Sequence, residues 1–287
     1  MGWVAPQDRF TSSYDIVEYI ALLLMQRGND GEHALGKGFC RKFSSEGFLA
    51  MLLHGQCGGG GGMIDFKGSQ FEREIILWGV RWYVAYPMSY RQLEEMMGER
   101  GAAVDHSTLN RWVIKYAPEF EKQFRRRQRP VGRSWRLDET YVKIKGKWAY
   151  LYRAVDKEGQ TIDFLLTPNR DRDAAEAFLR KAIRTQGFPE KITIDQSSAN
   201  TAAIKRYNKT HKTAIVIRHS KYLNNIVEQD HRAVKRVVRP MLGFKSFWAA
   251  RCTIAGMGVM HAIRKGQLGI TGTAPQTPAE QFYALAA

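Results

Sequence analysis

Cysteine is scarce in this sequence, and long apolar runs are absent. The three cysteines, Cys40, Cys57 and Cys252, lack metal-type spacing, and their odd number leaves one thiol without a partner. Such usage suits a reducing compartment and argues against a disulfide-stabilised secreted fold. The longest early apolar run, 19–25, is too short to span a membrane, and acids precede it, which also argues against a signal peptide. We therefore expect a cytoplasmic protein without a membrane partner.

Acidic residues are also under-represented. The chain of 287 residues has 28 Asp and Glu against 44 Lys and Arg, a formal net charge of +16. This excess predicts a polyanionic partner, with nucleic acid ahead of an anionic membrane surface. Residues 1–62 are close to neutral, with five basic and six acidic residues, so the excess lies entirely in the remainder. A hydrophobic share of 44% fits a folded chain with one large core or two modest domains.

Residues 1–62 differ from the rest and end in a run of five glycines, which favours a flexible segment. A tethered accessory module is one interpretation, because 13–26 has apolar residues at helical spacing. The favoured interpretation is a poorly ordered appendage; translation from a start upstream of the true one would explain it, since Met63 follows the glycines directly.

Residues 63–117 predict a small all-α module of three helices. The second helix begins at Ser89 and ends near Gly98, and the third covers 107–116. Helix, glycine-bearing turn, helix is typical of a helix-turn-helix DNA-binding domain, although a plain bundle shares the pattern. In that geometry the start of the third helix enters the major groove, with Arg111 suited to guanine and Asn110 to adenine. The residues expected to face DNA are His106, Ser107, Thr108, Asn110 and Arg111.

Residues 118–134 are read as a basic linker. Such a run is usually a solvated tether, but beside a DNA-binding module it is equally suited to tracking phosphates. The candidate phosphate contacts are Arg125, Arg126, Arg127 and Arg129.

The pattern of residues 135–270 predicts an α/β domain, and residues 271–287 are expected to form a C-terminal tail. The predicted strands cover 135–144, 148–156, 161–166, 191–195 and 214–218, and the helices cover 171–186, 199–207 and 224–239. The order β-β-β-α-β-α-β-α is that of an RNase H-like fold, a mixed five-stranded sheet with flanking helices. In such sheets an acid in mid-strand one and an acid ending strand four lie side by side, and the last helix crosses beside them.

Three acids occupy those positions. Asp138 lies in mid-strand, where a lone buried carboxylate would be costly without a cation or metal, and Asp195 ends the fourth predicted strand. The last helix is two-faced, apolar on one arc. Its other arc carries Glu228, Arg232, Lys235 and Arg239. A solvated charged face is the ordinary explanation of such an arc, but a carboxylate followed by cations also suits a metal site that handles phosphates.

Several blocks resemble the DDE transposases of bacterial insertion sequences, of the IS-six family type. The blocks are LDETYVK at 137–143, GKW at 146–148, LYRAVD at 151–156, TIDF at 161–164 and KYLNN at 221–225. The resemblance covers about 63–267 and includes the predicted helix-turn-helix. It implies that Asp138, Asp195 and Glu228 form the catalytic triad and that Lys235 is the basic residue following the glutamate.

The resemblance further implies two Mg²⁺ ions (Mn²⁺ being possible) held by the three acids, which would repel one another and stay poorly organised until metal and DNA arrive. The expected partners are double-stranded DNA, as transposon ends and target, and further copies of the chain in a homodimer or higher oligomer. The expected location is the bacterial cytoplasm, in association with the nucleoid when DNA is bound.

The chain departs from the family pattern after Asp195. It reads Gln-Ser-Ser-Ala-Asn at 196–200, where the family more usually has a lysine and a nearby tyrosine, and the spacing to Glu228 is slightly short. Two alternatives to an active transposase therefore stay open. One is a helix-turn-helix regulator with an inactive RNase H-like domain, and the other is a structure-selective nuclease without joining activity.

Overall fold

The computed structural model describes residues 64–67, 69–220, 222–241, 243–269 and 276–287, which belong to one compact unit. The predictions for residues 1–62 lie outside the described residues. Within the part of the chain that is described, no helix is long and apolar enough to cross a membrane.

Five strands form one mixed sheet in the order β3-β2-β1-β4-β5. The strands are β1 (Ser134–Ile144), β2 (Lys147–Asp156), β3 (Thr161–Thr167), β4 (Lys191–Ile194) and β5 (Val216–His219). The first three pair antiparallel, and β4 and β5 run parallel to β1. Lys145 and Gly146 turn β1 into β2 with φ of 48° and 78°, the left-handed pair of a tight hairpin, which glycine adopts at little cost. The predicted RNase H-like sheet is confirmed.

Eight α-helices are described. They are α1 (Arg73–Ala85), α2 (Tyr90–Glu99), α3 (His106–Arg127), α4 (Arg172–Gln186), α5 (Ser198–His211), α6 (Asn225–Val238), α7 (Phe247–Arg264) and α8 (Pro278–Ala284). Helices α4 and α5 cover one face of the sheet, because Phe178 and Ile204 join the buried cluster that contains Leu137 of β1 and Ile194 of β4. Helix α6 packs on β1 and β2.

The third helix runs from His106 to Arg127, so the expected end at residue 116 is wrong. Pro118 suggests a stop, yet the apolar spacing continues through it, and Phe120 and Phe124 are buried. Residues 118–127 are therefore helix rather than linker.

Helix α7 packs against α1 and α3, although it follows the catalytic region in sequence. A Cβ on Gly256 would lie 2.7 Å from Val84 Cγ1, so this glycine permits the close approach of the helices. The described residues 276–287 also differ from the expected tail, because they contain α8. Its Phe282 is fully buried and stacks on Phe120 with the ring centroids 4.3 Å apart.

Asp163 on β3 joins three elements. Its carboxylate accepts hydrogen bonds from Arg125 of α3 at 2.6 Å and from Lys181 of α4 at 3.0 Å. Burial alone would raise the pKa of Asp163, but Lys181 and Arg125 lower it below its usual value. Arg125, which also binds Glu121, is thus committed to the junction between the helical layer and the sheet. The expectation that it contacts DNA is corrected accordingly, because its charge is already neutralised by two acids.

Asp163→Ala should destabilise the protein by about 3–5 kcal/mol at pH 7, because it removes the fully buried carboxylate that pairs with the partly buried Arg125 and Lys181. The lowered pKa means that this stabilisation is fully present above the pKa of an unfolded-state aspartate and is lost as the pH falls through the folded-state pKa, so the difference from wild type should shrink in acid. Urea unfolding at pH 7 and pH 3 measures both effects. Asp173→Ala is the matched control, since its 72% exposed carboxylate pairs with Arg206 at the surface and should contribute less than about 1 kcal/mol. Equal losses in the two variants would contradict the assignment.

Candidate active site

The register between β1 and β4 brings two aspartates level. Arg136 pairs with Thr193 in the parallel ladder, and continuing that pairing by two residues sets Asp138 beside Asp195. Leu137 and Ile194 both point into the core under α4 and α5. Because strand side chains alternate, both aspartates belong to the opposite face, on strands about 5 Å apart.

Helix α6 crosses that face and carries the third acid. Its Val227 and Val234 are buried, and His231 Nε2 lies 3.5 Å from Asp138 Oδ2. Glu228 precedes His231 by three residues, so it occupies the neighbouring position on the same side of the helix. The carboxylate of Glu228 is 49% exposed and therefore faces the solvent side of the site.

The predicted cations of α6 lie along the exposed stripe that Glu228 begins. Arg232, Lys235 and Arg239 are all exposed, and Arg232 Nη2 is 4.0 Å from Glu228 Oε2. An ion pair this long and open contributes little stability, so these cations stay accessible to a polyanion.

A buried ion cluster holds α6 on the sheet. Asp230 of α6 accepts hydrogen bonds from Arg153 of β2, from Thr161 of β3, and from His261 and Lys265 of α7. Burial would raise the pKa of Asp230, but Arg153, with help from His261 and Lys265, holds it well below the usual range. The carboxylate is therefore ionised and ties the Glu228-bearing helix to two strands and a second helix.

The acids of the domain fall into two groups. One group is satisfied by cations or N–H donors and has structural roles, as for Glu139, which binds Arg170 and Asn200. The satisfied group contains Glu139, Asp156, Asp163, Glu176 and Asp230. Among the described residues, by contrast, no hydrogen-bond donor reaches the carboxylates of Asp138 or Glu228, and Asp195 accepts only the Ser197 N–H, at 2.9 Å.

The altered block after Asp195 is part of the local structure. Ser197 caps α5 by accepting the Asn200 N–H, and the Asn200 side chain donates to Glu139 at 2.9 Å. The residues that depart from the family pattern therefore form the start of α5. Among the described residues, no hydrogen-bond donor reaches the second carboxylate oxygen of Asp195.

The open carboxylates suit Mg²⁺, which prefers hard oxygen ligands. Among the described residues, both ring nitrogens of His231 and the side-chain amide of Asn224 are buried without a hydrogen-bond partner, and His231 Nε2 lies 3.5 Å from Asp138 Oδ2. Such orphaned groups are rare in folded proteins and indicate a site for water, ion or substrate. As placed, no three His, Cys, Asp or Glu side chains of the described residues enclose one metal position. The carboxylate donors fit the metal in type.

The predicted DNA-reading residues form the exposed start of α3. Asp105 caps the helix, and the Thr108 hydroxyl, with backbone N–H groups, lowers the pKa of Asp105 to about 2. Arg111 donates to the Thr108 hydroxyl at 2.8 Å, and His106 Nδ1 lies 2.9 Å from Glu94 of α2. Ser107 is exposed and Asn110 half-buried.

The remaining basic candidates separate by environment. Arg126 and Arg129 are exposed, as expected of phosphate contacts. Arg127 instead donates to the carbonyl of Ala284 at 2.8 Å, which ties α3 to the C-terminal helix.

The family model described as "DDE domain" matches residues 132–267. A "transposase for insertion sequence-like element IS431mec" of Staphylococcus aureus (strain Mu50) is 40% identical over 202 residues, which cover 70% of this chain and 88% of that protein. The chain belongs to the DDE transposases of the IS-six family. This chain is also 40% identical to the S. aureus "transposase for insertion sequence element IS257 in transposon Tn4003" over 202 residues, again 70% of this chain and 88% of that protein. The resemblance read from the sequence is confirmed, and the chain is a transposase enzyme.

Solved structures related to the transposase include retroviral integrase cores. The HTLV-2 integrase catalytic core in complex with magnesium (trimeric form) is 15% identical, with a TM-score of 0.37, over 47% of this chain and 88% of that one. The BIV integrase core is 16% identical, with a TM-score of 0.37, over 53% and 94%.

His231 was not singled out in the sequence, because a histidine on a basic helix resembles a solvated residue. Its 5% exposed ring lies beside the Asp138 carboxylate, with Nε2 3.5 Å from Oδ2, so His231→Phe, which keeps the volume but removes the nitrogens, should weaken Mn²⁺ binding about 10–100-fold. Electron paramagnetic resonance of free Mn²⁺ measures the affinity. His231→Gln, which keeps a donor, should restore most of it, and equal affinity in wild type and His231→Phe would sink this role.

Proposed function

We propose that this transposase binds the terminal inverted repeats of its insertion sequence and catalyses Mg²⁺-dependent strand cleavage followed by 3′-OH strand transfer into target DNA. The observation that carries the proposal is the β1–β4 register, which, continued by two residues, sets Asp138 beside Asp195 under the helix that bears Glu228. Within the part of the chain that the structure describes, no hydrogen-bond donor reaches the carboxylates of Asp138 or Glu228 and Asp195 accepts only the Ser197 N–H, whereas the buried Asp163 and Asp230 are paired with cations.

Phosphodiester hydrolysis needs about 20 kcal/mol of transition-state stabilisation. Asp138, Asp195 and Glu228 would hold the metal ions, which when bound activate the attacking oxygen and stabilise the leaving one. Lys235 and Arg232, exposed on the stripe of Glu228, would bind the phosphates that flank the reacting bond. A water would cut at the transposon end and free a 3′-OH, and that hydroxyl would then attack a target phosphodiester in the same site.

End recognition is assigned to α2 and α3. The exposed start of α3 would enter the major groove, with Arg111 and Asn110 reading base edges. Arg126, Arg129 and Arg239 would bind the backbone, where charge sets affinity and salt dependence. The protein would work as a homodimer or larger assembly on paired ends, in the bacterial cytoplasm.

Asp138→Asn, Asp195→Asn and Glu228→Gln should each lower strand transfer by about 10³-fold or more, because each removes a metal ligand worth several kcal/mol. Binding of the end duplex should persist, since all three side chains lie away from α3. A gel assay that joins a labelled, pre-cleaved end to plasmid DNA measures transfer, with mobility shift for binding.

Glu190→Gln is the matched control, because this 72% exposed carboxylate pairs only with surface Arg133. Efficient joining by any triad variant would overturn the active-site assignment. Absence of joining by the wild type on its own ends, with binding intact, would instead favour the regulator with an inactive domain.

Arg111→Ala should weaken binding to the cognate end about 5–100-fold relative to a scrambled duplex, because it removes a base-edge contact. Arg126→Ala should weaken binding to both duplexes alike, since a phosphate contact carries no sequence information. Fluorescence anisotropy at fixed salt measures all four affinities. An Arg111→Ala variant with unchanged specificity would show that α3 is not the reading helix.

A further inference from the structure

The β1–β2 hairpin presents a row of aromatic rings to solvent. Tyr141 is 49% exposed and Trp148 is 60% exposed. The Tyr141 ring lies 6.0 Å from Trp148 and 5.3 Å from Tyr150, measured between centroids. We name Tyr141, Lys143, Trp148 and Tyr150, which share one face by the strand register, the hairpin stripe.

The hairpin stripe is exposed because the hairpin extends beyond β4, which ends at Ile194. The opposite face of the hairpin is covered, since Val142, Ile144 and Leu151 are all buried. The tip is also anchored, because the Lys145 N–H donates to the carbonyl of Phe244 at 2.9 Å. The rings are therefore held on a supported surface, and large exposed apolar groups of this kind usually mark a binding site.

The charge around the hairpin stripe selects the class of ligand. Lys143, Lys145 and Lys147 are exposed, and Lys143 Nζ lies 5.6 Å from the centre of the Trp148 ring. No acidic residue occurs between positions 140 and 155. Two copies of so basic a surface would repel each other, which argues against self-association and favours a polyanion.

Aromatic rings flanked by lysines fit unpaired nucleotides in particular. Bases that have left the duplex can stack on exposed rings while cations bind the phosphates, whereas the faces of paired bases are not accessible. Tyr141 follows Asp138 by three residues on β1, a distance of about 10 Å along the strand. Because side chains alternate along a strand, the hairpin stripe lies on the sheet face opposite to Asp138, the face on which Tyr150 packs against the core cluster.

We propose that the hairpin stripe binds single-stranded or locally unpaired DNA, with bases stacked on Tyr141 and Trp148 and phosphates on Lys143, Lys145 and Lys147. The proposal rests on the proposed function, because it assumes that the transposase acts on DNA. It adds a binding site on a different element from the helix α3 that is assigned to duplex recognition.

The test uses the full chain and two fluorescent probes, a 20-nucleotide oligothymidylate and the same strand annealed to oligoadenylate. The Tyr141→Ala, Trp148→Ala double variant should bind the single strand at least about 20-fold more weakly and the duplex nearly as well as wild type. The Tyr141→Phe, Trp148→Phe variant keeps two stacking faces and should stay within about 3-fold of wild type. Phe188→Ala, which removes a 54% exposed ring elsewhere, is the matched control and should bind both probes normally.

Three results would overturn the hairpin proposal: unchanged single-strand affinity in the alanine variant, an equal loss for both probes, or a wild-type oligomer that the alanine substitutions dissociate in light scattering. The last would show that the rings pack against a second copy. Failure of the proposed function gives a different result. A wild-type protein that binds oligothymidylate through these rings but neither binds nor joins its terminal repeats would contradict the proposed function. The hairpin proposal would then still hold.

Discussion

Parallel pairing of β1 with β4 is the constraint on which the active site depends. The ladder has three residue pairs, from Ser134 with Lys191 to Arg136 with Thr193, yet it fixes where Asp138 and Asp195 lie relative to each other along the two strands. A shift of one residue would turn one carboxylate into the core under α4 and α5. The apolar residues before each aspartate, Leu137 and Ile194, prevent that shift because both are buried in the same cluster.

The third acid depends on a different kind of bond. Glu228 is on a helix, and α6 is held by the buried charges around Asp230 rather than by a strand ladder. Ionic clusters of this kind add less net stability than apolar packing, but they define position, since removing one partner leaves the others uncompensated. The protein thus uses satisfied acids to fix the helix and the sheet, whereas within the described residues no hydrogen-bond donor reaches Asp138 or Glu228, as the proposed metal site requires.

Much of this arrangement could be predicted from local patterns. Periodic spacing of apolar residues predicts the strand that carries Asp138 and the two-faced helix that carries Glu228. A short apolar run predicts the strand that ends before Asp195. The path of α3 was mispredicted at Pro118, where a local stop signal outweighed apolar spacing that continued to Phe124. Local signals cannot reveal contacts between distant segments, so the packing of α7 and α8 on the helical layer and the junction at Arg125 and Asp163 appear only in the fold.

His231 shows the same limit within the site. On sequence it is one more polar residue of a basic helix, but the crossing of α6 over β1 buries its ring against Asp138. The exposed rings of Tyr141 and Trp148 are a further case, because strand periodicity indicates a face but not whether another element covers it.

The central claim, that Asp138, Asp195 and Glu228 hold one pair of metal ions, is tested most directly by anomalous diffraction from crystals of the transposase with its end DNA and Mn²⁺. The account predicts two peaks about 4 Å apart, bounded by these three carboxylates. Peaks at other acids, or Mn²⁺ bound by only one of the three, would contradict it.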